Sequence, residues 1–528
     1  MNNSLRVWVP VFIAIAMALG YYMGRSLEPT YSTNISLNQN ELGSKLESIL
    51  QVIEERYVDT IDKHKFIDKA INDVLHKLDP HSNYIPAAEV ARIMEGIDGK
   101  FGGIGVRFLI HRDTLCITHV IRHSPSEKAG VMPGDRIVTV DGIDLSNEKL
   151  TNQWVMDHLK GEPGTAVKVE VLRGGKKSTH KIVRGIIPIE SISCVTMISP
   201  KIGYIRLEQF SQQSSEEFHA AVVKLRAQGM TKLIFDLRDN GGGVLGGAIE
   251  IVDEFLDAGK LIVYTDGANQ PERRYQSSSR GLLKQTEVVV LINENSASAS
   301  EIVAGALQDN DRGMIIGRRS FGKGLVQEDI PLRDGSTVRL TVARYYTPTG
   351  RCIQRPYGDE IDYSEEFFHR YENGELYAID STKFADSLKY TTPAGRVVYG
   401  GGGIMPDIFV PYDSSGASFY LTEIRYSQAF GRFAFDKVNQ WGRNKWKNEQ
   451  EFNSKFTVTD ALLNEFVQYA ADVLKIQKND LGMERSKLLL RKYLKAEIAR
   501  QLWIEQGYFR VIIDADNEVQ RAVEFLKN

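Results

Sequence analysis

Between about residues 188 and 413, short apolar runs alternate with amphipathic ones, and this alternation limits the fold more than any other feature of the chain. IGYIRLEQF, KLIFDLRD, LIVYT, VVVLIN and GMIIG read as strands, while SSEEFHAAVVKLRAQG, GAIEIVDEFLDAG and SASEIVAGALQDN read as helices. Strands that trade places with helices predict a layered α/β core. The pattern is not that of a clean doubly wound sheet, because Thr337 to Tyr346 reads as an antiparallel addition.

The flanks differ from this core. From about Asn40 to Gly99 apolar residues recur at helical spacing, as at Ile49, Leu50 and Ile53 and again at Ile67, Ala70, Ile71, Val74 and Leu78, until Asp79-Pro80 stops the second helix. From about Lys100 to Arg184 the pattern is short strands and turns. It includes the glycine-rich FGGIGVRF, a Pro-Gly turn at Pro133-Gly134 and a hairpin around Gly174-Gly175. Beyond about Ser414 helical spacing returns, with Leu463, Phe466, Val467, Ala470 and Leu474 on one face. A chain of 528 residues needs several such parts.

At the N-terminus Val7 to Gly24 is an apolar run of about the length that spans a bilayer as a helix. It is read as an uncleaved anchor, with a signal peptide cut after Ala16-Met17-Ala18 as the alternative. Either reading places the body of the chain outside the cytoplasm. The 65 basic and 68 acidic residues nearly cancel, which offers no electrostatic reason for a nucleic-acid partner. Cys116, Cys194 and Cys352 are too few and too scattered for a disulfide framework or a zinc site, and read as small buried apolar groups.

The chemistry concentrates in two stretches. One runs from Asn293 to Gln327. There a strand ends in polar residues, Ser296, Ser298 and Ser300 alternate with alanines, and a helix begins. A serine at a strand-to-helix turn has backbone N–H groups beside it, and the helix N-terminus favours a developing oxyanion. Lys323 follows between Gly322 and Gly324, and a lysine becomes a base when desolvation lowers its pKa. The bland alternatives are an N-cap serine and a solvated turn lysine. No histidine lies between His219 and His369.

The other stretch is LIFDLRDNGGGVLGG (Leu233 to Gly247). Its glycines let backbone N–H groups point at a ligand oxygen, either an oxyanion or a phosphate. Gly241-x-Gly243-x-x-Gly246 fits the dinucleotide pattern, with Asp266 on the next strand, although Asp236, Arg238 and Asp239 crowd its entry. Ser320-x-x-Lys323 fits the SxxK pattern, but the glycines around Lys323 oppose the helix that pattern needs. The chain has no HExxH, no GxSxG and no paired-cysteine motif.

Read together and in order, LDPHSNYI, FGGIGV, SPSEKAGVMPGDRIVTVDG, GYIRLEQFS, LIFDLRDNGGG, ENSASASEIVAGALQDN, GRRSFGKGLVQ and RYYTPTGR resemble the carboxyl-terminal processing peptidases, also called tail-specific proteases, over roughly Leu46 to Tyr412. The resemblance implies an α/β, crotonase-like protease core with an inserted PDZ domain, an N-terminal helical segment and a C-terminal helical extension. The corresponding boundaries are 1–28 for the anchor or signal, 29–99 for the helical region, 100–186 for the PDZ domain, 187–413 for the core and 414–528 for the extension. It implies Ser298 as nucleophile, Lys323 as general base and Gln327 as the residue that holds the lysine. The oxyanion donors would be the N–H of Ala299 and of Gly242 or Gly243. Gly103, Ile104 and Gly105 would take a peptide carboxylate in the PDZ groove, where a chain end adds to a sheet edge. It implies protein substrates with exposed apolar C-termini and no metal or cofactor. A homodimer or an adaptor complex is left open, as are an inactive peptide-binding scaffold and a nucleotide-binding protein.

Overall fold

The strand Ile202–Leu207 is buried along its whole length, and that requires a layer of structure on each side of it. It lies in a six-stranded sheet with the order Ile192–Met197, Ile202–Leu207, Lys232–Asp236, Glu287–Ile292, Met314–Gly317, Ile408–Phe409. The first pair is antiparallel and the others are parallel. The computed structural model describes residues 41–358, 363, 365–378 and 386–527. Among these no helix is long and apolar enough to cross a membrane, and the apolar run Val7 to Gly24 lies outside the described residues. The described residues form two units, 41–69 and 70–527. The first carries the helix Glu41–Arg56 and the start of the helix Lys63–His76.

Strand side chains alternate between faces, and the two faces of the sheet belong to two cores. Leu233, Phe235, Val290 and Ile292 pack with the helices Ser214–Ala227, Leu245–Asp253 and Ala299–Asp309. Tyr204, Ile234, Val289, Leu291 and Ile316 pack instead with Ile513, Val519, Ala522, Val523 and Leu526, mostly from the helix Asn517–Lys527. The end of the chain is therefore a layer of the core. Sequence reading gave the chain after about Ser414 only as a helical extension to the core, because its apolar stripe looks like that of any packed helix.

A buried ion network fixes this layer. Arg238 binds Asp236 and also reaches both oxygens of Asp516 at 2.9 Å and Glu518 at 2.6 Å, while Arg318 joins Glu294 (2.7 Å) to Glu518 (2.6 Å). The acidic residues that seemed to crowd the glycine loop are thus structural: Asp236 pairs with Arg206 and Arg238, and Asp239 accepts from Asn293 and Asn295.

The segment from Lys100 onward forms the expected sheet, Val106–His111, Thr114–Val120, Arg136–Val140, Ala166–Arg173 and Lys176–Val183, with Val106–His111 at one edge. It is joined to the core by the two-stranded ribbon Lys100–Gly103 with Gly185–Pro188. The C-terminal helices hold it from behind. His111 meets Asp436 at 3.1 Å, Arg107 pairs with Glu505, and Arg443 donates to the Thr118 carbonyl at 2.9 Å. The helix that carries Glu505, Lys487–Ile512, is bent at Trp503 and Ile504, with Ile504 at φ 49° and ψ −145°.

A second sheet contains Leu325–Pro331, Thr337–Tyr346, Leu261–Gly267 and Gln270–Gln276 in antiparallel pairs, confirming the antiparallel reading of Thr337 to Tyr346. Its last member is unexpected: Asn83–Ile85, from the stretch read as purely helical, pairs with Thr337–Arg339. Cys116 and Cys194 are buried as read, while Cys352 is only half-buried.

Candidate active site

Alternating serine and alanine at the mouth of a buried helix leaves one serine facing out. Ser296 and Ser300 are buried and spend their hydroxyls on the glycine loop, donating to the carbonyls of Leu237 and Asn240, each at 2.8 Å. They lash the serine turn to the segment that precedes Gly241. Ser298 lies between them, half-exposed, at φ 54° and ψ −112°, a backbone region that non-glycine residues rarely occupy.

Ser298 opens onto a cavity of about 490 Å³ whose walls also carry Lys323, Gln327, Ala299, Gly242 and Gly243. The six core residues that the resemblance implies for the site are therefore brought to one place, from three segments of the chain. Val244, Leu245, Ile302 and Leu325 make part of the wall apolar, and Arg339 and Asp329 stand opposite as an ion pair at 2.7 Å.

The glycines are needed for the approach of the two loops. Gly242 has φ 97°, and a Cβ there would stand 2.7 Å from the Ala297 carbonyl oxygen and 2.8 Å from Ser298 Cβ. Gly243 has φ 141°, and a Cβ would meet the Phe210 carbonyl oxygen at 2.1 Å. The Gly242 N–H is already given to Asn240 Oδ1 at 2.9 Å. Phe210 bonds to the Gly242 carbonyl and to the Val244 N–H, which leaves the Gly243 N–H without an acceptor among the described residues. The Ala299 N–H, at the start of the serine helix, is equally without one.

Lys323 is largely removed from solvent, makes no ion pair among the described residues, and has its pKa lowered. Burial is the chief cause and the Arg339 guanidinium the next, against the opposing pull of Glu301 and Asp79. Gln327 does not bond to it. Its amide donates to Thr341 Oγ1 at 3.2 Å, next to a bulge between Val326 and Gln327.

Two side chains were missed in the sequence. Glu301, fully buried, reaches back to the Ser298 N–H at 2.8 Å and also accepts from the Lys323 N–H at 2.8 Å, the Gly322 N–H at 2.7 Å and Ser320 Oγ at 2.5 Å. Burial pushes its carboxyl up to about 7. The signal was present as Ser298-Ala-Ser-Glu301, the spacing of a capping box. The other is His81. The core carries no nearby imidazole in sequence, but the strand Asn83–Ile85 brings LDPHS in against Thr337–Tyr346. Ser82 Oγ donates to Asp79 and accepts from the Thr341 N–H, and His81 Nε2 meets the Tyr363 hydroxyl at 3.0 Å. Burial, with Lys323 as the next cause, holds His81 down at about 4, so it is neutral at physiological pH.

Residues 201–363 match the model of peptidase family S41 and residues 102–183 that of the PDZ domain, while residues 420–504 match a family of unknown function (DUF8443). The chain is 37% identical over 350 residues to a carboxy-terminal-processing protease of Bartonella bacilliformis, covering 64% of this chain and 80% of that one. It belongs to peptidase family S41. A CtpA-like serine protease of Staphylococcus aureus is 32% identical over 364 residues, covering 67% of this chain and 72% of that one. Among solved structures, a photosystem II D1 C-terminal processing protease is 26% identical, with 71% of this chain and 88% of that one covered and a TM-score of 0.36. This S41 member is thus a serine-type peptidase with a PDZ domain.

In that domain Gly103 closes the ribbon strand and Ile104 and Gly105 follow it, with Gly105 at φ 77°. The carbonyls of Ile104 and Gly105 accept from Ser126 and Ile121, and their N–H groups have no acceptor among the described residues.

Proposed function

We propose that the peptidase cleaves proteins near their C-termini through an acyl-enzyme formed on Ser298, with neutral Lys323 as the base. Lys323 Nζ takes the proton of Ser298 Oγ as that oxygen attacks the scissile carbonyl carbon. The oxyanion is received by the N–H groups of Ala299 and Gly243. The lysine ammonium then gives its proton to the departing amine, and water, deprotonated by the same lysine, releases the acyl group. Gly243 is preferred over Gly242 because the Gly242 N–H already has a partner. The observation that carries the reading is a half-exposed serine in a strained turn sharing one cavity with a desolvated lysine and two unclaimed N–H groups.

The PDZ domain supplies the choice of chain end. A substrate C-terminus adds as a strand to Val106–His111, its carboxylate received by the N–H groups of Ile104 and Gly105, and the chain upstream enters the cavity. The apolar wall of Val244, Leu245, Ile302 and Leu325 suits small or apolar residues at the cleavage point. The Val7 to Gly24 run holds the enzyme on the outer side of the cytoplasmic membrane.

The test is cleavage of an unfolded protein with a free apolar C-terminus. Ser298→Ala and Lys323→Ala are each expected to lower kcat about 10³-fold or more, and Ser298→Ala to abolish labelling by an acylating probe. Cleavage retained by both variants rejects the pair.

A further inference from the structure

We infer that the Glu301 carboxylate is the strut that sets Ser298 and Lys323 at their working separation, a positioning residue that takes no part in the proton transfer. The inference rests on the Ser298–Lys323 reading and deepens it.

The two groups come from different segments. Ser298 opens a helix, and Lys323 lies in a loop that leads into the strand Leu325–Pro331. One buried side chain spans them. Glu301 Oε2 accepts from the backbone N–H of Ser298 and of Lys323, both at 2.8 Å, while Oε1 accepts from Gly322 N–H at 2.7 Å and Ser320 Oγ at 2.5 Å. Ser320 is fixed in turn, because it accepts from the Ile404 N–H at 2.6 Å. On the far side the buried Tyr345 hydroxyl bridges the same two residues, lying 3.1 Å from the Ser298 carbonyl and 2.6 Å from the Lys323 carbonyl. Both backbones are thus held by N–H and by C=O, and the N–H side depends on a single carboxylate.

All four partners of Glu301 present donors, so the site fits a group that only accepts, and bonds to an ionised acceptor are the stronger kind. An amide would turn its NH₂ toward at least one N–H. The groups that interact electrostatically with the strut are Lys323 and the Tyr345 and Tyr363 hydroxyls; Arg339, Asp79 and His81 interact with the lysine. The negative charge of Glu301 raises the proton affinity of Lys323, against the burial and the Arg339 charge that lower it. For a base that must be neutral this charge is a handicap, which the geometry has to outweigh.

That conflict gives the experiment. Glu301→Gln removes the charge and part of the strut. It is expected to lower kcat 10- to 100-fold with KM changed less than threefold, and to move the acid limb of the kcat/KM profile to lower pH. Ser320→Ala leaves the carboxyl in place but takes one donor from it, so Glu301 ionises at higher pH, and kcat is expected to be lowered at neutral pH and to recover as pH rises. A group with a merely structural part would lower kcat by the same factor at every pH. Wild-type kcat in Glu301→Gln, or a Ser320→Ala loss that does not shrink as pH rises, overturns the inference. Should Glu301→Gln fail to fold, the pH dependence of Ser320→Ala decides alone: a loss that recovers supports the strut and a constant loss rejects it. Activity retained in Ser298→Ala and Lys323→Ala would instead overturn the dyad itself.

Discussion

Ser298 and Lys323 are both held in states that a relaxed chain avoids. The φ of 54° at Ser298 costs about 1–3 kcal/mol, and Lys323 is buried where its charge is disfavoured. The pKa of Lys323 is lower in the folded protein than in the unfolded chain, so unfolding takes up a proton. Stability is therefore reduced in full below the folded pKa and recovers as pH rises from there toward about 10.4. Lys323→Met, which has no charge to bury, is expected to abolish cleavage and to raise Tm at pH 7, with the gain shrinking as pH is raised to 10; thermal melts across that range check it. At this scale the sequence was informative where chemistry and spacing coincide. Three serines in SASAS could not be ranked by type alone; the family resemblance picked Ser298, and in the fold Ser296 and Ser300 turn inward onto Leu237 and Asn240. His81 was invisible because only a strand pairing brings it from residue 81 to the neighbourhood of residue 323.

Two turns meet at the site, and each is specified by what it cannot contain. The glycine loop passes so close to Phe210 and to the serine turn that a methyl group at Gly243 would overlap a carbonyl oxygen. Gly243→Ala is expected to lower kcat about 100-fold while peptide binding to the PDZ domain, read by fluorescence polarisation with a labelled C-terminal peptide, stays within twofold. Equal loss of both would mean that the loop supports the fold at large. The alternation of strand and helix made these elements legible, since VVVLIN and KLIFDLRD could hardly be anything but interior strands. Which N–H of the loop is unclaimed was not legible, because it depends on the side chain of Asn240 folding back onto Gly242.

Within the unit 70–527 the central sheet is closed by residues far along the chain. Ile513, Val519, Val523 and Leu526 cover one face of the central sheet, and apolar side chains of this size stabilise by about 1.5–3 kcal/mol each when fully buried. Together that rivals the net stability of a domain, about 5–15 kcal/mol. A chain ending at Ile512 is expected to be insoluble or to melt at least 15 °C lower, as soluble yield and thermal melts would show. The amphipathic pattern announced helices here but not their destination, because a stripe of Val, Ala and Leu fits any apolar face. The same residues carry Asp516 and Glu518 to Arg238 and Arg318, at the roots of the glycine loop and of the loop that bears Lys323. A nascent or nicked polypeptide that stops at residue 512 keeps Asp236 for Arg238 and Glu294 for Arg318 but lacks the two carboxylates that tie both roots to the far layer. The order of the active site is thereby coupled to a layer of the core that lies far downstream in the chain.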